Sequence, residues 1–244
     1  MRTLKLTIAY DGTAFAGWQM QANQRTVQGA LEEALLPIEG TRVVVHAAGR
    51  TDAGVHAAGQ VISFSLASQI PCDALARALN VRLDQDVRVM HAEDAPETFN
   101  ARFDARTKTY HYAIYQASVV PPPLRHFVWH IPRALDVAAM NEAAAALVGE
   151  HDFAAFRAAG GDVVTTRREI LASHMVSRDG QVVYEVTGTG FLRHMVRNIV
   201  GTLVDIGRER RPVEDMIHVL LSGDRAHASA TAPPQGLTLV RVDY

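Results

Sequence analysis

Six segments in the first hundred residues switch between a two-residue and a 3.6-residue hydrophobic period. Their order restricts the chain to few folds. Residues 4–10 (LKLTIAY) alternate apolar and polar and predict a strand. Residues 26–36 place Val27, Ala30, Leu31, Ala34 and Leu35 on one helical face, with Pro37 expected to stop the helix. Residues 42–48 and 60–66 read as strands, 73–82 as a helix with Asp73 as its N-cap, and 86–92 as a closing strand. The resulting order, β-α-β-β-α-β, is ferredoxin-like.

The second half returns to that order. Residues 107–115 (TKTYHYAIY) predict a strand, a triple proline at 121–123 a loop, and 135–149 an alanine-rich helix. Residues 168–177 and 181–188 predict a hairpin across Arg178-Asp179-Gly180, followed by helices at 192–207 and 213–221 and a last strand at 237–243. The expected fold is α+β: two ferredoxin-like, RRM-like halves with mixed antiparallel sheets flanked by helices, and an active-site cleft between them. The expected halves are 1–100 and 101–244, joined near 97–106. The repeat is one of elements; no residue-level repeat accompanies it.

In the 192–207 segment, Leu192, Met195, Val196, Ile199, Val200, Leu203 and Val204 form one apolar stripe, which predicts a buried face. Arg197 falls at the margin of that stripe, where its stem can lie on apolar surface and its guanidinium can reach a crevice. Arg193 sits four residues earlier. Two like charges at that spacing on a helix repel, which suits an anionic partner or a solvated arginine face.

Apolar residues make up 48% of the 244 and no long apolar run occurs, so neither a membrane span nor a signal peptide is expected. The single cysteine, Cys72, fits a reducing cytoplasm and reads as a small structural thiol. Net charge is −2, yet it is segregated. Residues 82–97 are acidic. Residues 100–125 set Arg102, Arg106, Lys108 and Arg125 against Asp104 alone, a local +3. Residues 190–211 set five arginines against Asp205 and Glu209, another +3. Two such segments can draw phosphates locally despite the overall sign.

The 11 histidines include no HExxH, and no CxxC, Walker loop or GxGxxG exists, so no metal or nucleotide cofactor is expected. One segment stands apart. Gly49-Arg50-Thr51-Asp52-Ala53-Gly54-Val55-His56 directly follows the 42–48 strand, with two glycines bracketing an arginine and an aspartate. This spacing suits an aspartate bonded to its own turn backbone. The alternative is an ionised carboxylate presented at a strand end beside an arginine. Spacing does not choose between the two.

GRTDAGVHA resembles the active-site motif of the TruA-type tRNA pseudouridine synthases. AYDGTAFAGWQMQ (9–21), RTVQGALEEAL (25–35), ARFDARTKTYHYAIY (101–115), GEHDFAAFR (149–157), FLRHMVRNIVG (191–201) and APPQGLTL (232–239) resemble that family's other segments, in the right order along the chain. The resemblance implies that Asp52 is the catalytic nucleophile and that Arg50 helps extrude the target base. It implies that Tyr110 lies against the uracil and that Arg197 is the partner of the catalytic carboxylate. It further implies isomerisation of uridine in the anticodon stem-loop of tRNA, at positions 38 to 40, by a cytoplasmic homodimer that needs no cofactor. Asn100 and Asp104 depart from the family's common FHARFSA, and the glycine-rich stretch AAGGDVVTTRRE replaces a more basic one. Two rival readings are weaker. A non-catalytic pair of RRM modules requires RNP-type aromatic strands, which TYHYAIY matches poorly. An aspartate-dependent hydrolase requires an acid partner that the GRTDAG loop lacks.

Overall fold

The computed structural model describes residues 1–160, 164–178 and 180–244. The chain divides into two compact units, one of Met1–Arg106 with Thr238–Tyr244, the other of Thr107–Leu237.

The first unit contains β1 (Arg2–Tyr10), α1 (Val27–Glu39), β2 (His46–Ala47), β3 (His56–Leu66), α2 (Cys72–Arg82) and β4 (Val87–Ala95). β1 lies between β4 and β3, antiparallel to both. The alternation of β1 sends Leu4, Leu6 and Ile8 inward, level with Phe64, Ile62 and Gln60 of β3. Leu31 and Leu35 of α1 and Leu75 and Leu79 of α2 complete that core, all wholly buried. α1 opens on Thr26, whose hydroxyl accepts the Gly29 amide hydrogen, and closes on Gly40 at φ 78°.

The far edge of β3 is shared. His46 and Ala47 of β2 pair with Ser63 and Ile62. Thr238 and Leu239 of the chain's last strand pair in parallel with His56 and Ala57. A Cβ on Gly59 would stand 2.3 Å from the Val240 carbonyl oxygen, so only glycine lets these two backbones run so close.

The second unit carries β5 (Thr107–Tyr115), β6 (Trp129–His130), α3 (Val137–Ala145), β7 (Gly149–Asp152), β8 (Arg167–Arg178), β9 (Gln181–Gly188), α4 (Met195–Gly207) and α5 (Asp215–Ser222). In its sheet β5, β9, β8 and β7 follow one another antiparallel, and the two-residue β6 pairs in parallel with the end of β5. The whole stripe of α4 is buried, and so are Asn198 and Thr202. The last strand is β10 (Leu237–Asp243). From Thr238 onward it belongs to the first unit, although the sequence places it with the second half.

Several expectations need correction. Of residues 42–48 only His46 and Ala47 join a ladder. The Val45 amide donates to the buried carboxylate of Glu32, and Arg42 pairs with the same group, so a helix side chain takes the place of a neighbouring strand. Pro37 lies inside α1, two residues before its end, so the helix runs past it and stops at Gly40 instead. Asp73 does not cap α2. Pro71 holds the cap position and Asp73 pairs with Arg77 one turn on. α3 is shorter than 135–149 because Gly149 already begins β7. The triple proline forms a 3-10 turn at Pro122–Leu124. α4 starts at Met195, because His194 has φ 60° and breaks the helical path. Arg193 is therefore off the helix, and the like-charge argument for it lapses. In the hairpin turn Asp179 lies outside the described residues, as do residues 161–163 of the glycine-rich stretch.

Candidate active site

Asp52 sits in the loop that leads into β3, and the N-terminal segment is folded around that loop. The Trp18 amide donates to the Thr51 carbonyl oxygen at 3.0 Å. The Gly54 amide reaches the Phe15 carbonyl oxygen at 3.4 Å, and the Val55 amide closes a tight turn on the Asp52 carbonyl oxygen at 3.1 Å. Gly54 has φ 77°, a conformation the turn requires and glycine allows. A Cβ on Gly12 would lie 2.0 Å from the Val55 carbonyl oxygen. One on Gly17, at φ 97°, would lie 2.8 Å from that of Thr51. The glycines of AYDGTAFAGW are thus the positions where two backbones touch.

Beneath the loop runs a buried polar chain. Tyr10 and Thr51 share a hydroxyl–hydroxyl hydrogen bond of 2.8 Å. Gln60 donates to the Gly49 carbonyl oxygen at 2.7 Å and, at 3.5 Å, to the Tyr10 hydroxyl. Burial pushes the Tyr10 phenol up to about 12. At the end of the loop His56 is buried and its Nδ1 accepts the Gly12 amide hydrogen at 3.0 Å. Asp11 Oδ1 is 3.2 Å from that nitrogen, and it also accepts from the Thr13 amide and hydroxyl. The buried imidazole thus sits between the Gly12 backbone and the Asp11 carboxylate and holds the end of the loop as a post.

These fixed points leave Asp52 half-buried and Arg50 exposed, on backbone clamped at Thr51 and Val55. Such a loop presents a carboxylate with little conformational freedom to lose.

Tyr110 and Arg197 belong to the second unit. Tyr110 lies on β5 opposite Val186, its ring edge-on to Phe191 with centroids 5.0 Å apart. Arg197 lies on α4, half-buried as its place beside the apolar stripe predicts. Its Nε donates to the Ala232 carbonyl oxygen at 2.8 Å, and its own carbonyl oxygen accepts the Ala232 amide hydrogen at 3.1 Å. The segment at 230–233 thus lies along α4. Gly201 makes this possible, since a Cβ there would meet the Ala230 carbonyl oxygen at 1.9 Å. Tyr112 follows on the same face of β5 and donates to the Pro233 carbonyl oxygen at 2.7 Å. Burial raises the Tyr112 phenol far above its ordinary value, with the Arg197 charge pulling partly back. Buried Asn198, next to Arg197, donates to the Phe156 carbonyl oxygen and accepts from Thr231 and Arg225, tying GEHDFAAFR and the 225–232 segment to the same helix.

Sequence reasoning picked out Asp52, Arg50, Tyr110 and Arg197. It missed the supporting residues Tyr10, Gly12, Gly17, His56, Gln60 and Asn198. The available signal was the glycine spacing in AYDGTAFAGW and two polar residues inside otherwise apolar segments.

Known proteins agree with the motifs. A sequence model described as tRNA pseudouridine synthase matches residues 6–104 and 143–244. The chain is 46% identical over 245 residues to tRNA pseudouridine synthase A of Geotalea uraniireducens, covering 100% of both chains. It is equally similar to the proteins of that name from Citrifermentans bemidjiense, of which 98% is covered, and Moorella thermoacetica, of which 100% is covered.

Proposed function

The chain belongs to the tRNA pseudouridine synthase family, and we propose that Asp52 is the nucleophile with which it works. The enzyme is an isomerase that converts uridine to pseudouridine in the anticodon stem-loop of tRNA, at positions 38 to 40. The bond from ribose carbon 1′ to uracil nitrogen 1 breaks, the base turns, and carbon 1′ joins carbon 5. The carbon 5 proton leaves and nitrogen 1 ends with a hydrogen. Every atom and electron stays with the nucleotide apart from proton exchange, so the chemistry calls for no cofactor.

The target base must leave its stack to reach a side chain, and loop and stem-end positions give it up at least cost. Arg50, exposed beside Asp52, fills the vacated stack. Asp52 attacks either carbon 1′, which frees the uracil to turn, or the base, which turns while held on Asp52 once its bond to carbon 1′ has broken. Tyr110 stacks on the uracil and assists loss of the carbon 5 proton. Arg197 keeps the catalytic carboxylate charged. The observation that carries this reading is the clamped loop: backbone held on both sides of Asp52 by the N-terminal segment.

Asp52→Asn preserves shape and removes the nucleophile. Pseudouridine formation in tRNA should vanish while tRNA binding and thermal unfolding stay as in the wild type. Sustained turnover by this variant, with deamidation excluded by mass spectrometry, overturns the assignment. The functional unit we infer is a cytoplasmic homodimer. Light scattering at micromolar protein should give twice the chain's 26.6 kDa mass. A monomer that retains full activity removes the dimer from this reading.

A further inference from the structure

Phe103 is 77% exposed, and of the eight phenylalanines only it and Phe127, at 40%, face solvent. The turn that holds it is firmly built. Asn100 Oδ1 accepts the amide hydrogens of Arg102 and Phe103. Asp104 Oδ2 accepts the Asn100 amide hydrogen at 2.8 Å, and the Asp104 amide returns to the Asn100 carbonyl oxygen at 3.1 Å. Asn100 and Asp104 are the two positions at which this chain leaves the common motif, and together they close the turn. Ala101, wholly buried, anchors it: its amide donates to Ser63 Oγ at 2.9 Å and its carbonyl oxygen accepts from the Tyr244 hydroxyl at 2.8 Å. The Arg106 amide donates to the Asp243 carbonyl oxygen.

A rigid turn that holds an aromatic ring out in water gains nothing for the fold. One cation stands at the ring and a second follows in the sequence. The Arg102 guanidinium lies 5.5 Å from the ring centroid, and Arg106 is exposed two residues beyond Asp104. No other large apolar side chain is exposed between residues 97 and 106, so within its own turn the ring stands alone. An exposed ring with a guanidinium beside it is the chemistry that binds an unstacked nucleobase and its phosphate.

We propose that Phe103 is a stacking platform for one unpaired base of the RNA substrate, with Arg102 and Arg106 on the adjoining phosphates. The proposal rests on the tRNA reading above and adds a second contact to it. The turn is anchored at Ser63, three residues along β3 from Gln60, whose amide holds the Gly49 carbonyl oxygen at the start of the Asp52 loop. Asp52 keeps its own clamps when the ring is removed, so the contact governs binding.

The test uses the full-length protein and unmodified tRNA. Phe103→Ala should raise the Kd for tRNA, and KM with it, by about ten-fold, the scale of one lost base–aromatic stack. It should leave kcat within about two-fold and thermal unfolding unchanged, since the ring is exposed. Phe103→Trp should restore affinity, and its indole emission, measured as a difference from wild type, should be quenched when tRNA binds. Wild-type Kd and KM in Phe103→Ala, or an indole that tRNA does not quench, overturns the proposal. So does a loss of affinity that tracks dissociation of a dimer, since the ring would then serve a protein contact. If wild-type protein makes no pseudouridine in tRNA, the functional reading itself fails. If it does and Phe103→Ala binds normally, only the platform fails.

Discussion

The hydroxyl oxygens of Tyr10 and Thr51 lie 2.8 Å apart in the interior of the first unit, one residue short of the proposed nucleophile. Tyr10→Phe strands the Thr51 hydroxyl and removes an acceptor from Gln60. It should cost about 1–3 kcal/mol of stability and slow pseudouridine formation with little change in tRNA affinity. The bond also has a pH signature. Burial raises the Tyr10 phenol in the folded protein to about 12 from 10.0. A raised folded value means that this contribution is complete below pH 10 and is lost as pH climbs toward 12. Urea unfolding at successive pH values should show stability falling over that window, and less steeply in Tyr10→Phe. Identical slopes in the two proteins would place the alkaline loss elsewhere.

Gly12→Ala should disable the loop. Its Cβ would stand 2.0 Å from the Val55 carbonyl oxygen, and neither backbone can give way without moving Asp52. A loss of about 1–3 kcal/mol is expected, with a much larger drop in kcat. Gly40→Ala is the control: φ is 78°, yet nothing lies within 4 Å of the new methyl. It should lose about 1 kcal/mol to backbone strain and keep full activity. Equal activity losses in both variants would show that general destabilisation, not loop geometry, is being read.

Arg197→Met should abolish turnover, and Arg197→Lys should leave a weak residue of it. Lysine keeps the charge but lacks the planar Nε that reaches the Ala232 carbonyl oxygen. Both variants should loosen the 230–233 segment, seen as faster amide exchange at Ala232. Wild-type turnover by Arg197→Met would reduce Arg197 to a tether for that segment.

Binding of tRNA should weaken steeply with salt despite the chain's net charge of −2. Exposed Arg102, Arg106 and Arg193 belong to the two locally basic segments. A plot of log Kd against log salt should have a slope of several units, near 0.9 for each phosphate neutralised on a duplex. A flat plot between low and physiological salt would exclude phosphate contacts as the main source of affinity.

Periodicity alone located most elements, because one buried face imposes its period on each segment. β5 was legible to the residue. The failures have local causes. Val43 and Val45 are buried and Val44 is exposed, so a strand-like alternation is present at 42–45. The backbone there bonds to Glu32, a long-range partner that no local pattern encodes. His194 adopts a left-handed conformation that its neighbours do not announce. For the site, the loop's composition marked Asp52 as unusual, and motif resemblance gave it a role. Its supports were illegible for a different reason. Tyr10 and Gln60 sit in strands 50 residues apart, and only the β1–β3 register brings them under the loop.

The edge of β3 at His56 and Ala57 finds its partner in Thr238 and Leu239. On the ribosome, that edge waits while the intervening residues are made. Until then the strand that carries the GRTDAG loop has an open side, and Ala101 lacks the Tyr244 hydroxyl that secures its turn. The clamps from the N-terminal segment can hold the loop before then, but the β3 edge beside it closes only when residues 238–239 arrive, and that long sequence separation makes the closure a late step in folding.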